Sequence, residues 1–115
     1  MSPASKRLYR FVRLSAADLP VLAALAHDLQ FESHRELLLG LAHGTLILTA
    51  ASKPPPYRVD TALSIHLEDE EVRSLKRLCS AYELFNFHRQ PSIATLLHAL
   101  AVGSAVAERW ETPVA

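Results

Sequence analysis

The 115-residue chain is poor in cysteine, glycine and aromatic residues and has no surplus of charge. Its one cysteine, Cys79, excludes an intramolecular disulfide framework and a Cys-rich zinc site, and it suits a reducing cytoplasm. Gly40, Gly44 and Gly103 are the only glycines; none follows a strand-like run, so a phosphate-cradling loop cannot be built from them. Twelve Lys and Arg balance twelve Asp and Glu, so any attraction to nucleic acid or anionic lipid must come from a local patch. The longest apolar stretch, Leu37 to Ala51, is interrupted by His43 and Thr45 and is too short to span a bilayer. MSPASKRLYR at the start lacks the apolar core of a signal peptide. Six histidines offer none of the close pairings that put two metal ligands on one helical face, so no metal is expected. No catalytic triad, carboxylate pair or nucleotide motif stands out, and the expectation is a protein that is not an enzyme and needs no cofactor. Half of the residues are apolar, enough for the core of one domain. A soluble cytoplasmic protein with no membrane partner is expected.

The abundant feature is an internal repeat. Ser33, Leu37, Leu38, Leu41, Ala42 and Gly44 form the pattern S-x3-L-L-x2-L-A-x-G, which returns at Ser92, Leu96, Leu97, Leu100, Ala101 and Gly103. Upstream of each copy a short run ends in leucine followed by polar and acidic residues, at Leu14 and at Leu67. From that leucine to the motif serine there are 19 residues in the first half and 25 in the second, an insertion of six best placed within Leu84 to Pro91.

Each half reads as strand, helix, helix. Leu63, Ile65 and Leu67 alternate with polar or small residues, the period of a half-buried strand. Val72, Leu75, Leu78, Cys79 and Tyr82 then recur at helical spacing, which makes Cys79 a core residue rather than a nucleophile. In the first half the stripe is Leu19, Leu22, Leu25, Ala26 and Leu29, with Ser15 and Asp18 in a capping arrangement and Pro20 tolerable only in a first turn. Ser33 and Ser92 are the expected N-caps of the second helices. Gly44 and Gly103 are expected inside those helices, as sites of close packing. Residues 52–59, rich in proline, form a stiff linker between units at 7–51 and 60–110.

This order and spacing resemble the ribbon-helix-helix superfamily of the Arc and MetJ repressor type. The resemblance implies a mainly α fold with a two-stranded antiparallel β-ribbon, in which tandem β-α-α-β-α-α copies form a single-chain pseudo-dimer. It further implies sequence-specific binding to double-stranded DNA, with the ribbon in the major groove, in transcriptional repression or as a DNA-transfer accessory factor. Taking Leu14 and Leu67 as core positions, the base-reading residues would be Tyr9, Phe11 and Arg13 on one strand and Ser64 and His66, with Ala62, on the other. Arg13 suits guanine O6 and N7. The family also anchors phosphates on amides that begin the second helix, which carries over to Ser33 and His34 and to Ser92 and Ile93. Lys6, Arg7, Arg10 and Arg13 give the first fourteen residues a charge of +4, a basic arm beside the ribbon whose Lys6, Arg7 and Arg10 would hold phosphates. His88 and Arg89 in the inserted loop would extend it. Pseudo-dimers of this kind can pair further along DNA. The alternative is the same fold used as a protein-interaction module that has lost DNA binding, with Tyr9 and Phe11 as the partner site.

Overall fold

The computed structural model describes residues 7–110, with the backbone alone for Arg7 to Arg10. Strand β1 (Arg7–Leu14) leads into helices α1 (Asp18–Asp28) and α2 (His34–His43) and then strand β2 (Leu46–Ala51). Strand β3 (Thr61–Glu68), helices α3 (Asp69–Ala81) and α4 (Ile93–Val102) and strand β4 (Ala105–Arg109) repeat the order. β1 pairs antiparallel with β3, and β2 antiparallel with β4. The described residues thus form four helices and two two-stranded sheets.

The second ribbon corrects the expected β-α-α-β-α-α order with its single ribbon: each repeat is β-α-α-β. The glycines are responsible. Gly44 and Gly103 stand at φ 84° and 83°, left-handed caps that end α2 and α4 rather than positions inside them. With no Cβ, glycine takes this conformation without the clash an L side chain meets, and the chain turns out of the helix into a strand. β2 alternates Leu46 and Leu48 inward, and β4 does so with Ala105 and Ala107.

Both ribbons are centred on equivalent residues. Leu14 and Leu67 lie 53 positions apart in the two repeats; so do Phe11 and Ser64, which face each other in the β1–β3 register. Ser33 and Ser92 lie 59 positions apart; so do Leu48 and Ala107, which face each other in the β2–β4 register. A pseudo-two-fold axis therefore crosses each ribbon at its own centre.

Local chemistry explains the helix starts. Ser33 Oγ accepts from the Glu36 amide at 3.2 Å, and Ser92 Oγ from the Thr95 amide at 3.2 Å, so both serines cap as expected. Glu71 in the first turn of α3 reaches back to the Glu68 amide at 2.8 Å. The capping arrangement expected of Ser15 and Asp18 does not form. Ala17 precedes α1 without a side-chain cap, because the Asp18 carboxylate is buried and turned to His98. Pro20 lies in the first turn of α1.

One core serves both repeats. Leu14, Leu22, Leu37 and Leu38 are fully buried together with Leu67, Leu75, Leu96 and Leu97. Packing is crossed: α1 lies against α4 and α2 against α3, while α2 and α4 also touch strands of both ribbons. Neither repeat closes an apolar interior by itself, as expected where a two-stranded ribbon needs helices behind it. The linker is packed down as well: Pro54 is buried, and the Asp60 amide bonds Leu14 O at 3.1 Å.

Candidate nucleic-acid interface

The β1–β3 ribbon has one face in the core and one in solvent. Val12, Leu14, Ile65 and Leu67 are buried, and this fixes the register, since a slip by one residue would turn all four outward. The other face carries exposed Arg13, Ser64 and Ala62, half-buried His66, and Phe11 at 72% exposure. Cross-strand pairs on this face are Phe11 with Ser64, Arg13 with Ala62, and Tyr9 with His66 by backbone register. By the repeat equivalence Arg13 corresponds to His66. Two side chains able to hydrogen-bond bases therefore stand at dyad-related places, with different chemistry in each.

Lys6 lies outside the described residues, and the side chains of Arg7, Tyr9 and Arg10 are not described. Arg7 pairs in backbone register with Glu68, which shares the outward face with His66. The acidic run that continues from Glu68 belongs to helix α3 rather than to the ribbon. Asp69 and Glu70 are exposed in the first turn of α3, where they complement the helix dipole.

The two second-helix starts differ. At α2, Glu36 Oε2 accepts from the Glu32 amide at 2.9 Å, so a carboxylate covers the cap. His34 Nε2 bonds Leu19 O of α1 at 3.2 Å, and Arg35 Nε donates to His66 O at 2.9 Å, which holds this helix end against the ribbon. At α4, Ile93 is buried, Ser92 caps, and the first turn holds no acidic residue. Exposed His88 and Arg89 lie just upstream. Electrostatics favour an anion at the α4 start over the α2 start.

A cluster that sequence reasoning missed lies between the repeats. His98 on α4 contacts Asp18 Oδ2 through Nδ1 at 2.6 Å and Pro55 O through Nε2 at 3.0 Å, and the Tyr57 ring lies 4.3 Å from its ring. Both ring nitrogens face acceptors, the Asp18 carboxylate on one side and the Pro55 carbonyl on the other. Burial pushes the Tyr57 hydroxyl pKa up, against a hydrogen bond with Thr95 that lowers it, while the Asp18 charge raises it further. This assembly ties the linker to α1 and α4. Only the acid's place, four residues after Leu14, hinted at it, since Glu71 stands four residues after Leu67.

Cys79 is fully buried with Sγ 3.4 Å from Ser92 O, and burial pushes its thiol up to about 11. It is therefore a protonated core residue at neutral pH rather than a reactive thiolate. Among the described residues no three His, Cys, Asp or Glu side chains group as metal ligands, and no helix is long and apolar enough to cross a membrane. Compared with known family models, curated proteins and solved structures, the chain matches none.

Proposed function

We propose that this chain is a sequence-specific double-stranded DNA-binding protein, a single-chain ribbon-helix-helix pseudo-dimer that lays its β1–β3 ribbon in the major groove. The observation that carries the reading is the ribbon's solvent face: it is centred on the pseudo-dyad at Phe11 and Ser64 and offers Arg13 and His66 at equivalent places. Arg13 hydrogen-bonds guanine in one half-site, while His66 and Ser64 contact the other half and the centre. Because the halves differ, the preferred site is an imperfect palindrome. The basic arm of Lys6, Arg7 and Arg10 and the amides at Ser33, His34, Ser92 and Ile93 hold phosphates, with the α4 start the stronger anchor. The protein acts in the cytoplasm by occupying its site, in repression or in assembling a DNA-processing complex, with no cofactor, and neighbouring pseudo-dimers pair along the DNA.

Fluorescence anisotropy on random-sequence duplexes at two salt concentrations, followed by selection of the retained sequences, tests this. Tight binding that weakens steeply with salt and enriches an imperfect palindrome is the expected outcome. Arg13→Ala then costs about 1–3 kcal/mol and relaxes preference at one base pair. Absence of binding at low salt overturns the reading. The ribbon would then be a protein-docking surface, a use favoured by the exposed Phe11 ring at its centre.

A further inference from the structure

The six residues that lengthen the second repeat form an ordered hairpin, and the first repeat has no counterpart. Phe85 and Pro91 make an antiparallel bridge, the Ser92 amide bonds Leu84 O at 3.1 Å, and Leu84 is buried, so the base is anchored in the core. The tip closes around Asn86. Its amide bonds Gln90 O at 2.8 Å, its carbonyl accepts from the Arg89 amide at 2.9 Å, and its Oδ1 accepts from the amides of His88 at 2.8 Å and Gln90 at 3.1 Å. Held at this tip, Phe87 is 95% exposed with the His88 ring edge-on at 5.6 Å. An aromatic ring fixed in solvent, flanked by a histidine and an arginine, with no acidic residue from Leu84 to Ser92, has the chemistry of a contact to a polyanion carrying apolar sugars and bases.

Its place in the fold adds to this. The α2 start is held to the ribbon by Arg35 at His66 O. Under the repeat equivalence those positions become Ala94 and Arg13, and α4 does pack on β1. The hairpin runs straight into Ser92 at the start of α4, the helix that packs on β1.

We propose that the 84–91 hairpin is a second, one-sided DNA contact: Arg89 and His88 meet phosphates of the duplex flanking the ribbon's site, and Phe87 packs on deoxyribose and base edges in the adjacent minor groove. This rests on the DNA-binding reading above and deepens it. Since one repeat alone carries the hairpin, it sets the direction in which the chain lies on its site.

Hydroxyl-radical footprints and anisotropy on the selected site, with the flank shortened on one side or the other, test the proposal. For the unaltered protein, protection extends past the ribbon's site on one side, and removing that flank weakens binding about tenfold while removing the other does little. Phe87→Ala with Arg89→Ala abolishes the difference between flanks and retracts the footprint on that side. Arg89→Ala alone lowers the salt slope by about one. Both side chains are exposed, so the variants are expected to unfold at the same urea concentration as the unaltered chain. If Arg13→Ala relaxes specificity while the hairpin variants keep wild-type footprints and affinities, the proposal is overturned, the ribbon reading stands, and the hairpin is left to a protein partner. If the unaltered chain binds no duplex at low salt, both fall.

Discussion

Two acids occupy the same place in the two repeats, and their fates differ. Asp18 and Glu71 each lie four residues beyond the last core leucine of their strand, and each meets a histidine from the second helix of the other repeat. Asp18 meets His98 at 2.6 Å, and Glu71 meets His43 at 2.8 Å. The histidines sit one helical turn apart under the repeat equivalence, His98 matching Leu39 and His43 matching Val102. The first pair is buried on both sides, whereas the His43 side chain is 60% exposed. Position and linker both contribute: His43 is the last residue of α2, where its counterpart Val102 is exposed as well, while His98 lies a turn further in and is covered by the linker. The two repeats are joined by one connection, and it crosses the seam at His98 and not the one at His43. Pro55 O and the Tyr57 ring come from that connection and cover His98. The two seams therefore differ where both ribbons keep equivalent registers.

The contrast is broken most severely at the buried pair. Asp18→Ala or His98→Ala removes one member and leaves the other with a buried hydrogen bond unmade, at an expected cost of about 1–3 kcal/mol in urea denaturation. A loss below about 1 kcal/mol would mean that water reaches the seam and that the two pairs are alike. The glycine caps are the matched control. No atom lies within 4 Å of an added Cβ at Gly44 or Gly103, so Ala at either site meets only the left-handed backbone penalty. Gly44→Ala and Gly103→Ala are expected to cost about 1–2 kcal/mol each, and equally. Unequal losses in the same denaturation series would show that the repeats differ at their helix ends as well.

Much of this plan was legible because repeated leucines at fixed spacing report burial directly. The serine caps and the place of the six-residue insertion followed from pattern alone, and the outward face of the β1–β3 ribbon from the resemblance together with Leu14 and Leu67 as core positions. The second ribbon did not. Leu46 to Ala51 continues an apolar run that begins in α2 and is broken by the short His43-Gly44-Thr45 segment, so the change of period at Gly44 was masked by leucines on both sides of it. In β4 small Ala105 and Ala107 face inward while larger Val106 is exposed, the reverse of what side-chain hydrophobicity suggests. Gly44 followed by Thr45, Ile47 and Thr49 at alternate positions was the available clue. The Asp18 cluster was hidden for another reason: its members lie 80 and 43 residues apart and meet only through the crossed packing of α1 on α4 and the return of the linker.

The exposed pair gives the smallest and most specific effect. Burial pushes the Glu71 carboxyl up, but the Glu68 amide, the His43 ring and the Arg35 charge outweigh it and hold the pKa below the ordinary 4.5. A carboxylate lowered in the folded state adds stability above its unfolded pKa, and that contribution fades as pH falls from there through the folded value. His43→Ala should therefore cost about 1 kcal/mol or less at neutral pH, because its ring is largely in water. Glu71→Gln mimics the protonated carboxyl. Its urea midpoint should lie below that of the unaltered chain at neutral pH, and the two should converge on acidification below 4.5. Curves that run parallel through that range would show that the Glu71 charge contributes nothing at this seam, and that only the seam crossed by the linker depends on its acid.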